Sequence, residues 1–569
     1  MTQSSSTLTI SGASTLADAA GQAVAVSGLS VVDTAAAAAS ASMVVTVSAE
    51  SGRLSATGGA RVLAGPGGGS VTLTGSAAQV AASLATLRYV GTAAGSDTIT
   101  VVANDGVSAG AQASVAVAVA AAPAVALSGM DLSAYSAPVA ATLRQFLQAL
   151  PGSADAQVSA VAATAASVSA PGGMAVAAPV AGRANVAVVA ADAGGLVLAA
   201  PAGVDAVLLQ GASGTVMTDR VGHVLMAAVD GDTLVSGVGG DTLVGGGADT
   251  LVGGAAGDTF LAQGAGSVLR LGGGTNLVAT GEGGNTVMLG AGDAVVYSSG
   301  ADSLFGGAGQ DTVFASGAAQ VTAGTGALTF IGGAAASTVL GGQGTALVYG
   351  GSGAGGLVQG GAGAIEYVGG AGESRFAGAG GTALVYGGVG GGDIALGAGG
   401  GAVYAAPVSG SGVGTTIEAG AGAATITGAD GSAVRLSGDA AVLVVGGAGS
   451  ESVDASASGA GNSFYAGSGA SQIVGGAGSD LFVVSGGQST LTGGGGANLY
   501  SAVAGSAGGS AVITDFTQGV DHLALRGYGS TASVLAQASV SGGATTLSLG
   551  DGTHLVLQGV MHLGMQSFA

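Results

Sequence analysis

The chain has 569 residues, 117 of them Gly, and only 7 % are charged, against about 25 % in an ordinary soluble domain. All 10 basic residues are Arg, against 31 acidic ones, for a net charge of −21, and there is no Cys or Trp. A P-loop lysine, a Schiff base, disulfides, thiolate metal sites and cysteine nucleophiles are thereby excluded. So is nucleic acid as a partner, because phosphate neutralisation needs clustered cations and these Arg are scattered.

Disordered chains are poor in apolar residues. Here 48 % are hydrophobic and the mean hydropathy is +0.64. The longest apolar run, Val115 to Leu127, contains Pro123 and falls short of the ~20 residues of a membrane helix, so no membrane span is expected. The N-terminus, MTQSSSTLTISG, has neither a basic region nor an apolar core, so no cleaved signal peptide is read there.

Residues 1–122 read as short alternating strands separated by turn signals, which predicts an antiparallel β-sandwich with one helical turn over Ala77 to Leu87. The SGRLSATGG turn and the closing GSDTITVVANDG resemble the cadherin-like, immunoglobulin-type repeats of large bacterial surface proteins. That resemblance implies calcium ligands at Asp97, Asn104 and Asp105; turn capping is the other reading of these residues. Residues 123–203 are rich in Ala and Val and read as a connector or small β domain, with a short amphipathic helix at 139–150 ended by Pro151. No function is legible in them.

From 204 to 505 a fixed period appears. The residue that follows each Gly-x-Gly-x step is Asp232, Asp241, Asp249, Asp258, Ser267, Asn276, Asn285, Asp293, Asp302 and Asp311, at steps of 8 or 9. Complete nonapeptides stand at GGAGQDTVF (306–314) and GGAGSDLFV (475–483). On these repeats the segment resembles the parallel β-roll of the RTX (hemolysin-type calcium-binding repeat) family, whose unit is G-G-x-G-x-D-x-U-x. Six residues make a turn and three make a short strand with its middle apolar residue inward. Two units complete a coil of ~18 residues.

The resemblance implies Ca2+ held between carboxylates one coil apart, with backbone carbonyls completing the six to eight oxygens it takes. Sorting at 17 or 18 residues places Asp241, Asp258, Asn276, Asp293 and Asp311 in one column. Asp232, Asp249, Ser267, Asn285, Asp302 and Gln320 form the other. The pairs Asp232/Asp249, Asp241/Asp258 and Asp293/Asp311 are the leading calcium candidates; Asp205 and Asp219 fall outside both columns. Asn462, Asp480 and Asn498 continue the spacing with a single carboxylate.

Between about 320 and 445 the Gly period persists while the Asp slot holds Gln320, Leu328, Ser337, Ala346, Ile365, Ser374 and Ala383. Those turns have no carboxylate to offer a metal and are expected to close on backbone hydrogen bonds and small-residue packing. An aromatic recurs once per coil on one sheet: Tyr297, Phe314, Phe330, Tyr349, Tyr367, Tyr386 and Tyr404. In the nonapeptide register Phe314, Tyr349 and Tyr386 fall outward, and Phe330 and Tyr367 inward. Three readings stay open: a stiffening ladder, a sugar- or partner-binding stripe, and a surface that packs on a neighbouring copy.

Residues 506–569 break the period. SAVITDFTQGVDHLALRGYG and TTLSLGDGTHLVLQGV resemble the C-terminal cap of RTX proteins exported by type I secretion, which carries an uncleaved export signal. Asp515 and Asp521 are candidate ligands of a terminal calcium, with capping as the alternative.

HExxH is absent, and Gly-x-Gly-x-x-Gly occurs only inside the nine-residue period, without a helix to follow it. The paired carboxylates follow the coil period, and no Ser sits on a strand-to-helix elbow with a His partner. No catalytic residues are therefore assigned and an enzyme is not expected. The expected fold is all-β: an N-terminal sandwich, a parallel β-roll and a C-terminal β cap. Through the family resemblance the expected role is a secreted calcium-binding structural protein. It would leave the cell by type I secretion and self-assemble into a surface layer (S-layer), matrix or filament, with cell-surface polysaccharide as a further partner. The rivals are a calcium-dependent adhesin for glycan or host protein, and a polysaccharide-acting β-helix enzyme. For the enzyme, the residues singled out within 320–445 are Glu366, Glu373, Arg375 and Asp393.

Overall fold

The computed structural model describes residues 8–569 apart from 13–14, 21, 34–41, 66–67, 106–109, 122–123, 136, 164–175, 177, 192–196, 201, 212–215, 219–224, 229, 408–413, 429 and 506–507. It is nearly all β, with 7 % helix, and holds a parallel β-solenoid of about 16 turns over residues 186–513. Its two compact units are Met1–Ala294 and Val295–Ala569.

The first unit opens with a β-rich domain. A six-stranded sheet runs in the order Thr15–Ala19, Ala111–Ala120, Gly95–Asn104, Met43–Ala49, Ser70–Gly75, Arg61–Ala64. Smaller sheets of three and two strands accompany it. In Ala111–Ala120 the alternation of Val with Ala sends Val115, Val117 and Val119 inward and the intervening Ala outward, as a period of two requires. They pack with Val45, Val47, Leu73, Tyr89, Ile99 and Val101. The expected antiparallel order holds except at the edge, where Thr15–Ala19 joins Ala111–Ala120 in parallel. The helix is Ala77–Leu84, started by a capping box in which Ser76 and Gln79 satisfy each other's backbone N–H.

The stretch without a functional reading has a structural one. Helix Ala137–Ala149 buries Val139, Leu143 and Leu147, one turn apart, against Ala156, Ala184, Val186, Ala206 and Leu208 of the first solenoid strands. The Tyr135 hydroxyl donates to the Leu209 carbonyl at 2.8 Å. Strand Ala124–Val125 pairs antiparallel with the start of Ala156–Ala163, covering part of an edge that would otherwise present unpaired backbone. This segment caps the N-terminal end of the solenoid. Parallel pairing begins inside the supposed connector, where Ala156–Ala163 meets Asn185–Ala191.

In the solenoid, strands of three to eight residues alternate between two parallel sheets, and the side chains between them form the core. In the second unit the core contains the buried stack Phe464, Phe482 and Tyr500, with ring centroids 5.1 and 5.0 Å apart. At its C-terminal end Ser510–Ile513 pairs in parallel with His554–Gln558. The antiparallel strands Ala544–Ser548 and Ala538–Ser541 follow. On the other sheet the last strand, His522–Arg526, is covered by the chain end: the Ala569 N–H donates to the Leu523 carbonyl at 2.9 Å.

Candidate functional site

The alternation of a strand explains where the aspartates go. In Thr233–Val235 only Leu234 points inward, and two residues earlier Asp232 shares that face. The same offset buries Asp241 with Leu243, Asp249 with Leu251, and Asp258 with Phe260. Pairing of Thr233 with Thr250 makes Asp232 and Asp249 neighbours one coil apart, and pairing of Thr242 with Thr259 does the same for Asp241 and Asp258. Both expected pairs are thus brought together, with all four side chains at most 2 % exposed.

Asp249 and Asp258 each close two turns. Asp249 Oδ1 accepts the Asp232 N–H at 2.9 Å, and Oδ2 accepts the Gly246 and Gly247 N–H groups of its own turn. Asp258 Oδ1 accepts from Asp241 N and Oδ2 from Gly254 N, each at 2.9 Å. Asn276 and Asn285 continue the pattern toward Asp258 and Ser267. Between Asp241 and Asp258 sits the Ser236 hydroxyl, 2.7 Å from Asp241 Oδ2 and 2.9 Å from Asp258 Oδ1. One hydroxyl proton therefore stands between two buried carboxylates. Burial pushes the Asp249 carboxyl up, against the downward pull of backbone donors at Asp232, Gly247, Gly246 and Gly231.

In the second unit Asp302 is fully buried and takes the Ser298 hydroxyl at 2.7 Å. A second ladder closes the roll. Asn462 N donates to Asp480 Oδ1 at 2.7 Å, Asp480 N to Asn498 Oδ1, and Asn498 N to Asp521 Oδ1, the last two at 2.9 Å. Asp521 Oδ2 takes the Thr517 N–H at 2.7 Å, and the Asp515 carboxylate takes the Gly493 and Gly494 N–H groups. Both terminal aspartates thus cap turns. Burial also pushes the Asp480 carboxyl up, partly offset by the donors Asn462 and Gly476.

Three placements correct the sequence reading. Asp293 is exposed; the buried Ala294 has the inward place, and the Asn276 N–H goes to the Asp293 backbone carbonyl at 2.8 Å. The expected Asp293/Asp311 pair therefore has only one inward member, Asp311. Gln320 is exposed on its strand, and Ala319 fills the slot, its N–H donating to the Ser337 hydroxyl at 3.2 Å. Asp205, taken to lie outside the columns, belongs to one: its Oδ2 accepts the Asn185 N–H at 2.7 Å. Asp219 lies outside the described residues. The count missed Asp205 because Asn185 and Asp205 are 20 residues apart, outside the repeat spacing.

Glu451 was also missed, although GGAGSESVD (446–454) is a nonapeptide with Glu in the Asp slot. It is buried, pairs in register with Ser471, and takes the Gly447 N–H on Oε1 at 2.7 Å. Burial pushes its carboxyl up, opposed by the Gly447 N–H and the Ser471 hydroxyl.

Where the slot is apolar, the same N–H groups find another acceptor. Leu328, Ala346, Ile365 and Ala383 are buried, and their N–H groups donate to the carbonyls of Thr345, Ala364, Thr382 and Gly400, at 2.9 to 3.1 Å. At these four positions the coils are closed by backbone. Asp97 likewise does structural work. Its Oδ1 accepts from Glu50, Ser51 and Thr98 N–H, and its Oδ2 from Gly52 N–H and the Tyr89 hydroxyl. Burial raises its carboxyl, but the Tyr89 hydroxyl and these amides together pull it below the ordinary value. Asn104 ends the strand Gly95–Asn104, about 23 Å from Asp97 near its start, so the two do not share an ion.

Of the residues of the enzyme rival, Arg375 lies 3.9 Å from both Glu373 and Asp393 in an exposed group at one solenoid sheet, whereas Glu366 lies in the other sheet. Among the described residues no three carboxylates or imidazoles come together. A cation between Asp241 and Asp258 would draw on two carboxylates and the Ser236 hydroxyl, with backbone carbonyls for the rest. Such an all-oxygen set fits a hard divalent ion. No known protein-family model matches the chain, and no curated protein does.

Proposed function

We propose that the chain is a secreted, calcium-binding, non-catalytic structural protein that self-assembles at the cell surface. The observation that carries the calcium reading is the approach of Asp241 and Asp258 to one hydroxyl oxygen, Ser236 Oγ, inside a buried column. Two stacked carboxylates in a low-dielectric wall repel each other unless a proton or cation lies between them. A bound Ca2+ would neutralise them, and its binding energy becomes folding energy. In calcium-poor cytosol the same coils would fold less readily, which suits a protein exported before it folds. The resemblance of the nonapeptides and the DFTQGVD segment to RTX proteins supports export and the extracellular setting. Assembly is supported by a regular roll with few charges.

The test is the melting temperature of the full chain by circular dichroism in millimolar calcium, in magnesium and in chelator. A calcium-specific rise is expected, about 2.7 kcal/mol of stabilisation at a hundredfold excess over Kd. It should be lost in D241A/D258A and retained in D155A, which removes only an exposed ion pair with Arg183. Identical melting in calcium and chelator would overturn the calcium reading. Electron microscopy of the same samples tests assembly, and particles that remain single in calcium would overturn that part.

A further inference from the structure

The outer face of one solenoid sheet in the second unit departs from the acidic character of the chain. Eleven strands follow one another in this sheet from Asp311–Ala315 to Leu499–Val503. In-register pairing lines up two outward columns. One runs through Phe314, Ile331, Tyr349, Val368, Tyr386 and Tyr404 and continues through Thr427 to Val445, Tyr465 and Val483. The other runs through Thr329, Leu347, Glu366, Leu384, Ala402, Thr425 and Leu443. Glu366 is the one charged residue at the outward positions of these two columns, in a chain of net charge −21.

The rings form a ridge. Phe314, Tyr349, Tyr386, Tyr404 and Tyr465 are 37 to 43 % exposed, whereas Phe330 and Tyr367 point into the core. Tyr386 and Tyr404 stack on each other, centroids 5.3 Å apart and planes 14° apart, and Tyr297 stacks on Phe314 in the same manner. The stacked rings therefore stand with a face toward a neighbour and an edge toward solvent. Sugars bind aromatic platforms through ring faces, so this ridge is poorly built for glycan. Beside it a groove of about 500 Å³ follows Thr329, Leu347, Glu366 and Leu384.

We propose that this face pairs with the same face of a second copy, as the first contact of assembly; the inference rests on the self-assembly reading above and names its surface. Three observations select a second copy as the occupant. The face measures about 50 Å along the stack by about 15 Å along the strands, close to the ~800 Å² per partner of a standard interface. It is uncharged except at one position, as interface cores are, and it carries the Tyr that interface cores favour. Two strongly acidic chains meet with least repulsion where neither presents charge, and a copy of this chain brings that same uncharged face. A two-fold, self-complementary contact follows.

The experiment is sedimentation velocity of the full chain in calcium over a range of concentrations. Wild type should run as a dimer of 51.6 kDa chains. Y386E/Y404E should weaken dimerisation by tenfold or more while leaving the circular-dichroism spectrum of the folded roll unchanged. E366L should tighten it several-fold by removing the charge that the interface buries. A second measurement does not depend on those substitutions. Any two-fold pairing that covers the whole face sets the middle strand, Gly401–Tyr404, opposite its own copy. In this Cys-free chain A402C should therefore form a disulfide-linked dimer on mild oxidation, whereas T416C on the opposite sheet should not.

A wild-type monomer at all concentrations, or a dimer indifferent to Y386E/Y404E with no A402C crosslink, would overturn the proposal. Electron microscopy separates the two failures. Larger assemblies that persist in Y386E/Y404E defeat this face alone. A dimer with no larger assembly defeats the surface-layer reading and leaves this face standing.

Discussion

The Asp480 carboxylate receives the backbone N–H of Asn462, one coil upstream, at 2.7 Å, and on its other oxygen the N–H of Gly476 in its own turn at 2.9 Å. One side chain thus ties two windings of the solenoid and closes a turn. It does so buried, with burial holding its carboxyl above the ordinary range.

This relationship separates two roles of the column by substitution. D480A leaves two buried N–H groups without their acceptor and should cost about 1–3 kcal/mol, with or without calcium. D480N keeps an oxygen for Asn462 and removes a buried charge but turns an NH2 toward the Gly476 N–H, so in chelator it should fall between D480A and wild type. Denaturant unfolding of the three proteins in chelator checks the order. A D480N protein as unstable as D480A would show that the charge, rather than the acceptor, holds the turn.

Stability of the metal-free roll should depend on pH with an unusual sign. Asp249, Asp480 and Glu451 titrate higher in the folded chain than in the unfolded one, all through burial. Between those values the folded state binds more protons. Their contribution is therefore complete below the unfolded carboxylate range, about 4, and is lost as pH rises through the folded values. Thermal melts in chelator should shift upward as pH falls from neutral toward the unfolded carboxylate range, and E451Q should reduce the slope. In saturating calcium the slope should reverse, because protons compete with the ion. Asp97, held low, acts in the opposite sense within the N-terminal domain: its contribution is present above the unfolded range and is lost on acidification.

Neighbouring glycines in one turn should differ sharply. A Cβ on Gly381 would overlap the Gly363 carbonyl of the preceding coil, whereas one on Gly380 meets nothing within 4 Å. G381A should cost about 1–3 kcal/mol, and G380A should stay within about 0.5 kcal/mol of wild type. Urea unfolding of both variants checks the contrast. Equal costs would mean that the coils do not stack as closely as the Gly381–Gly363 approach requires.

Much of this was legible in the chain. A period of 9 forces short strands and tight turns, two units make a coil, and stacked coils bury a continuous core, so the all-β roll and its register near Asp232 to Asp258 follow from spacing. The inward and outward aromatics followed too, because alternation assigns Phe330 and Tyr367 to one face and Tyr349 and Tyr386 to the other. The capping helix Ala137–Ala149 was legible as a helix but not as a cap, since what it covers lies in strands such as Asn185–Ala191 and Ala206–Gly211, tens of residues away.

By itself the sequence determined the repeat, the two-sheet coil and the chemistry in the slots. Only the tertiary structure decided which residue of each turn faces inward and which acceptor its N–H takes. The reason is the two-residue period of a strand, in which an offset of one position turns a side chain to the opposite face. Counting alone could not choose Ala294 over Asp293 or Ala319 over Gln320. Nor could it foresee that the Leu328 and Ala346 amides would close their coils on the carbonyls of Thr345 and Ala364, where Asp232 and Asp241 close theirs on carboxylates.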